Sequence, residues 1–195
     1  MYFYIRFIIY TVSMKKIGLF YGSDTGCTDD ITKDLVSIWG EEELEVKEIG
    51  DATKEEVESY DILLLGLSTW YDGDLQSDWE DFFDDFQEID FTNKVVAIYG
   101  LGDQIGYGEY FIDGVGILAK AVIENGGTII GHWPYEAYRF TESEAMIEDK
   151  EGYFYGLAID NDNESELNDE RLEQWTVQVK AELETYLENK QMIAS

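Results

Sequence analysis

The stretch FYGSDTGCTDD, residues 20–30, begins as an apolar strand and turns within three residues into a run of hydroxyl, glycine and acid side chains. It contains neither lysine nor arginine. Short β-rich runs like the one it closes alternate with helical patterns along the whole chain, the signature of a parallel sheet covered by helices on both faces.

Five such strands can be read: KIGLFY (16–21), LEVKEI (44–49), DILLLGLS (61–68), KVVAIYGL (94–101) and GTIIGHW (127–133). The second is the most polar, as an edge strand should be, and the third and fourth are continuously apolar, as strands buried on both faces should be. About twenty residues rich in Tyr and Phe separate GHW from FYGLAID, too long for a structureless loop in a compact domain. The fifth strand is therefore expected to be interrupted and resumed. In DWEDFFDDF, Trp79, Phe82, Phe83 and Phe86 recur at helical spacing and form a core stripe, while Leu172, Trp175, Val179 and Leu183 mark a closing helix. The fold class that follows is a doubly wound α/β sheet of five parallel strands.

A chain of 195 residues with 45% apolar and 15% aromatic content, one proline and eighteen glycines has enough apolar mass for one folded domain. Lys and Arg number 13 against 43 Asp and Glu, a net charge of −30. That field repels nucleic acid and anionic membrane surfaces and favours partners with basic faces; charge alone does not separate this from a role in solubility. One cysteine, Cys27, excludes an intramolecular disulfide and fits a reducing, cytoplasmic setting. Residues 1–13, MYFYIRFIIYTVS, are too short to span a bilayer as a helix and lack the basic n-region and small-residue cleavage site of a signal peptide. They read as an extension ahead of Met14 or as an apolar tail, with a membrane anchor as the alternative, and residues 14–195 form the domain.

In an open α/β sheet, ligands sit at the carboxyl ends of the strands where the winding reverses, so the loops after strands one, three and four carry the chemistry. After strand one, Gly26 lets backbone approach closely, successive N–H groups can form an anion nest, and Ser23, Thr25 and Thr28 offer hydroxyls to phosphate oxygens. The lysine of a nucleoside triphosphate loop is missing. A helix cap with a glycine turn explains this loop equally well by itself. The next two loops, STWYDGDLQSDW and GLGDQIGYGEYF, each hold a large aromatic outside any periodic stripe, Trp70 and Tyr107. Two rings at one sheet edge can sandwich a planar heterocycle, and with a cation-free phosphate cradle the ligand specified is flavin mononucleotide, FMN.

From Lys15 to about Leu187 the chain resembles a long-chain flavodoxin, on GSDTGCT, STWYDGDLQSDWEDFF, GLGDQIGYGEYFIDGVGIL and GLAIDNDN in that order. The resemblance implies that Ser23, Asp24, Thr25, Gly26, Cys27 and Thr28 form a phosphate loop. It implies that Ser68, Thr69, Trp70, Tyr71, Asp72 and Gly73 form a second flavin loop, and that Gly100, Leu101, Gly102 and Asp103 meet the pyrimidine edge of the ring. Trp70 and Tyr107 match the stacking positions. In the family a peptide of the second loop flips on reduction; the matching peptide joins Tyr71 to Asp72.

A pocket poor in cations disfavours the anionic, doubly reduced flavin, which separates the two one-electron steps and predicts a low-potential carrier cycling between semiquinone and hydroquinone. Such a carrier, a monomer, needs no catalytic residue and no metal. Its partners would be basic-faced redox proteins, such as an NADP-dependent flavodoxin or ferredoxin reductase and low-potential acceptor enzymes. The only histidine, His132, and the thiol of Cys27 read as structural, the latter packed or hydrogen-bonded. The competing readings are an FMN-dependent quinone or nitro reductase, and a receiver-like module that would need acids where SDTGCT and STW stand.

Overall fold

The computed structural model describes residues 17–193, so the reading of residues 1–13 lies outside them. Five parallel positions are present in the expected order. β1 (Ile17–Tyr21) is flanked by β2 (Leu44–Glu48) and β3 (Ile62–Trp70), β3 pairs next with β5 (Val95–Leu101), and β5 carries the fifth position. β2 is the edge, and only its first residue, Leu44, is fully buried. The central strands β1 and β5 are buried at every position, which is why they carry no alternation in sequence.

Successive residues of β5 point to opposite faces and show what covers each. Tyr99 points to the layer formed by α1 (Cys27–Trp39) and α5 (Asn168–Ile193): its hydroxyl lies 2.6 Å from Thr32 Oγ1 and its ring centroid 6.1 Å from that of Trp175. Gly100 points the other way, where a Cβ would stand 2.3 Å from Val115 Cγ2 of α4 (Asp113–Glu124). Only glycine lets α4 approach so closely. α1 buries Thr28, Ile31, Thr32, Leu35 and Trp39, one helical stripe. The stripe expected in α3 (Ser77–Gln87) is buried at Trp79, Phe82 and Phe86, with Phe83 half-buried at its margin. The short α2 (Lys54–Glu58) starts at a reciprocal cap in which Thr53 and Glu56 each bond the other's backbone N–H.

β3 runs to Trp70, two residues beyond its expected end, because β4 (Asp74–Leu75) folds back and pairs antiparallel with Thr69 and Trp70. The fifth strand is interrupted as expected, but it stops earlier than the sequence indicates. β6 (Thr128–Ile130) pairs with Val95–Ala97, and β9 (Leu157–Ile159) resumes alongside Tyr99–Leu101. Strand pairing ends at Gly131 because α5 takes its backbone: Trp175 Nε1 donates to the Gly131 carbonyl at 2.8 Å, and the Gly131 N–H donates to Glu182 at 2.8 Å. Trp133, read as strand five, belongs instead to a small hairpin of β7 (Trp133–Pro134) and β8 (Tyr153–Phe154).

The Tyr- and Phe-rich segment between β7 and β9 folds around the fully buried Phe154. Phe140, Tyr135 and Tyr138 lie 5.1, 5.3 and 5.9 Å from its ring centroid, and Phe111 lies 5.9 Å away. This satellite core leans on the loop after β5: the N–H groups of Thr141 and Glu142 donate to Gly108, and that of Arg139 to Gln104 Oε1. Among the described residues no helix is long and apolar enough to cross a membrane.

Candidate functional site

The carboxyl ends of β1, β3, β5 and β9 open on one cleft of about 370 Å³, lined by Thr25, Cys27, Ser68, Thr69, Trp70, Tyr71, Leu101, Gly102, Asp103, Tyr107, Tyr110, Asn161 and Asp162. Ten of these were singled out from the sequence. None of the lining residues is a lysine or arginine.

The first wall is the loop from β1 to α1. Ser23 Oγ accepts the N–H groups of Gly26 at 3.1 Å and Asp29 at 3.3 Å, which folds the loop into a tight turn, and Gly26 takes the left-handed conformation (φ 90°) that leads into α1. Among the described residues no acceptor meets the N–H groups of Asp24, Thr25, Cys27 or Thr28, so four backbone donors gather at the positive end of a thirteen-residue helix. The side chains divide. Thr25 and Cys27 face the cleft, Thr28 is buried beneath it, and the Asp24 carboxylate turns outward to Gln76 Nε2 at 3.0 Å and to the Ser77 hydroxyl. Cys27, expected in this loop with a packed or hydrogen-bonded thiol, is in the cleft lining but exposed. It follows the left-handed glycine, which opens residue 27 on the cleft and sends residue 28 under the loop.

The second wall is the β3–β4 hairpin. Trp70 Nε1 donates to Ser68 Oγ at 2.9 Å, which fixes the indole, and the Tyr71 ring lies 6.0 Å from it. The Gly73 N–H donates to the Trp70 carbonyl at 3.1 Å, closing a turn in which Tyr71 (φ 44°) and Gly73 (φ 97°) are both left-handed. Thr69 lines the cleft and also accepts the Gly114 N–H at 3.1 Å, joining the hairpin to α4. Asp72 and Gly73 do not line the cleft; Asp72 is exposed at the tip of the turn.

The third wall follows β5. Tyr107 is 52% exposed and Tyr71 68% exposed, far more than rings held only for packing. Asp103 Oδ1 accepts from Gly106 N at 2.7 Å, Ile105 N at 3.0 Å and Asn163 Nδ2 at 2.8 Å. Burial pushes the Asp103 carboxyl up, and these bonds outweigh it, leaving it below the usual carboxylate range. Gly100 stands apart from the cleft, under α4.

Sequence reading did not single out Tyr110, Asn161 and Asp162, nor the fully buried Asp160 behind them. Asp160 accepts the N–H groups of Gln104 (3.2 Å), Asp162 (3.1 Å) and Asn163 (3.0 Å), and so ties the loop after β5 to the loop after β9. The signal available was the run AIDNDN at the end of the resumed strand, a fourth carboxyl end on the same sheet edge. Burial, then the charges of Asp103 and Asp160, raise the Asp162 carboxyl. His132 lies away from the cleft, with Nδ1 3.2 Å from Lys150 Nζ; burial, then Lys150, hold it below the ordinary histidine range.

A family model described as flavodoxin matches residues 19–175. Flavodoxin 1 of Salmonella typhimurium is 48% identical over 170 residues, covering 87% of this chain and 96% of that protein. The flavodoxin of Haemophilus influenzae is 45% identical over 170 residues, covering 87% and 97%. Among solved structures, Fusobacterium nucleatum flavodoxin bound to flavin mononucleotide superposes with a TM-score of 0.81 at 30% identity, over 86% of this chain and 98% of that one. On this sequence identity and the matching sheet, the chain belongs to the flavodoxin family.

Proposed function

We propose that the cleft binds one FMN non-covalently and that the chain is a low-potential electron-transfer protein, not an enzyme. The observation that carries this reading is one cleft lined by Thr25 and Cys27, from a loop with four unengaged N–H groups at a helix N-terminus, together with the rings of Trp70 and Tyr107 and with no basic residue. Bound flavin supplies the redox chemistry, accepting and releasing electrons singly.

The chain's own groups would do the rest. The Ser23–Thr28 backbone, with the Thr25 hydroxyl, would hold the phosphate by N–H donors and helix dipole instead of by a side-chain cation. Trp70 and Tyr107 would cover the two ring faces, and the Ser68–Gly73 and Gly100–Asp103 segments would border the ring edges. Asp24 and Thr28 support the phosphate loop from outside and beneath. Asp103, Asp160 and Asp162 place carboxyl groups beside the cleft, a field that opposes added negative charge on anything bound there.

The net charge of −30 supports partners with basic faces, such as an NADP-dependent reductase of flavodoxin or ferredoxin and low-potential acceptor enzymes, met by steered encounter. A monomeric, cytoplasmic carrier, with residues 14–195 as its one domain, fits this reading. Adding the chain to FMN tests it: stoichiometric loss of flavin fluorescence at one FMN per chain supports the proposal, and undiminished fluorescence overturns it.

A further inference from the structure

The turn that forms the second wall of the cleft rests on a buried carboxylate. Tyr71 holds a left-handed conformation that is strained for a non-glycine residue, so its surroundings must enforce it. Behind the turn stands Asp113, the first residue of α4, 6% exposed. A Cβ at Gly73 would lie 2.8 Å from Asp113 Oδ2 and 3.5 Å from Asp113 Cβ. The other oxygen, Oδ1, accepts the Glu144 N–H at 2.7 Å, and Glu144 belongs to the segment inserted into the fifth strand.

Further ties close around the same point. Ile112, directly before Asp113, is itself left-handed at φ 53°. Gly114 N donates to Thr69 Oγ1 at 3.1 Å, and Ser143 Oγ donates to the Phe111 carbonyl at 2.5 Å. Two strained residues, the cleft turn and the inserted segment thus converge on one side chain. Asp113 Oδ2 accepts no hydrogen bond from any described residue.

We propose that Asp113 is a positioning residue for the cofactor turn: with Oδ2 against Gly73 and Oδ1 on Glu144, it links the backbone conformation of Tyr71–Gly73 to the inserted segment, and through the turn to the potential of bound FMN. The link to potential rests on the FMN reading above; the link between turn and insertion does not. As a carboxylate, Asp113 repels any turn carbonyl that swings toward Oδ2, and as a carboxylic acid it donates a hydrogen bond to that carbonyl. Protonation therefore favours one turn conformer over another.

The charges facing Asp113 are Glu142 and Glu144 from the inserted segment and Lys120 from α4, which is paired with Glu144. Asp72 and Asp74 flank Gly73 in the turn, and the Tyr110 ring lies beside Gly73. Burial above all, then the Glu144 and Glu142 charges, push the Asp113 carboxyl up against the lowering effects of the Glu144 N–H and Lys120.

The test follows the amide resonances of Gly73 and Glu144 in the FMN-loaded, oxidised chain from about pH 4 to 8, beside the one-electron potential over the same range. Both amides are expected to titrate with one shared midpoint above the ordinary aspartate value of about 3.9, and the potential to bend at that pH. Asp113→Asn, which keeps an acceptor for Glu144, should abolish the shared titration and the bend. Separate midpoints, a Gly73 titration that survives in Asp113→Asn, or the same pH profile of potential in both proteins would overturn the proposal. Should that variant fail to fold, the surface variant Lys120→Ala should raise the shared midpoint, and an unchanged midpoint overturns the proposal equally. A chain that takes up no FMN sinks the proposed function and leaves the amide titration readable in the flavin-free chain.

Discussion

The Asp103 carboxylate accepts the backbone N–H of Gly106 at 2.7 Å, and residue 106 has no side chain to compete for the space: a Cβ there would lie 2.2 Å from Asp103 Oδ2. This contact sets the shape of the loop that carries Tyr107, whose own N–H donates to the Asp103 carbonyl at 3.0 Å. Asp103→Ala removes an acceptor shared by Gly106, Ile105 and Asn163. Allowing for solvent access, the loss is about 1.5 kcal/mol, and FMN affinity should fall about tenfold in a fluorescence titration.

Acid should act through the same residue. The folded-state pKa of Asp103 lies below its ordinary value, so its contribution is fully present above about pH 3.9 and is lost as pH falls from there through the folded value. FMN retention in the native chain is expected to decline over that window. In Asp103→Asn the part of the decline due to this group should vanish, as read by flavin release against pH.

Asp160 is the support behind the cleft. Asp160→Ala leaves the N–H groups of Gln104, Asp162 and Asn163 without their acceptor in a fully buried place. A loss of about 3 kcal/mol or more is expected, measured as a lower urea midpoint, with a smaller loss for Asp160→Asn.

The two rings should share the work of holding FMN. Trp70→Ala or Tyr107→Ala removes apolar contact and stacking of about 1–3 kcal/mol, so affinity should fall about 10- to 100-fold while the urea midpoint stays close to that of the parent. Trp70 is anchored by Ser68 and Tyr107 is half exposed, so neither is a core residue.

Much of the frame was legible because it depends on local pattern. β1, β3 and β5 are apolar runs bounded by turn residues, and the stripe of α3 repeats at helical spacing. The end of strand five was not legible, because it is set by Trp175 and Glu182, 44 and 51 residues away, taking the backbone of Gly131. The same holds for the cleft. Trp70 and Tyr107 stand out as aromatics in polar loops, whereas the bond between Asp160 and Gln104 spans 56 residues and leaves no periodic trace. Cys27 lines the cleft with the rest of its loop, but the exposure of its thiol was not legible, because whether residue 27 or residue 28 goes under the loop depends on the Gly26 backbone angle, which side-chain chemistry does not record.

Stepwise anaerobic reduction of the FMN-loaded chain, followed by its visible spectrum and potential, tests the central claim most directly. The account predicts two one-electron steps at well-separated potentials, the second the more reducing, because the cleft lining offers no cation to stabilise added negative charge. A single two-electron step, or a chain that binds no FMN, would contradict it.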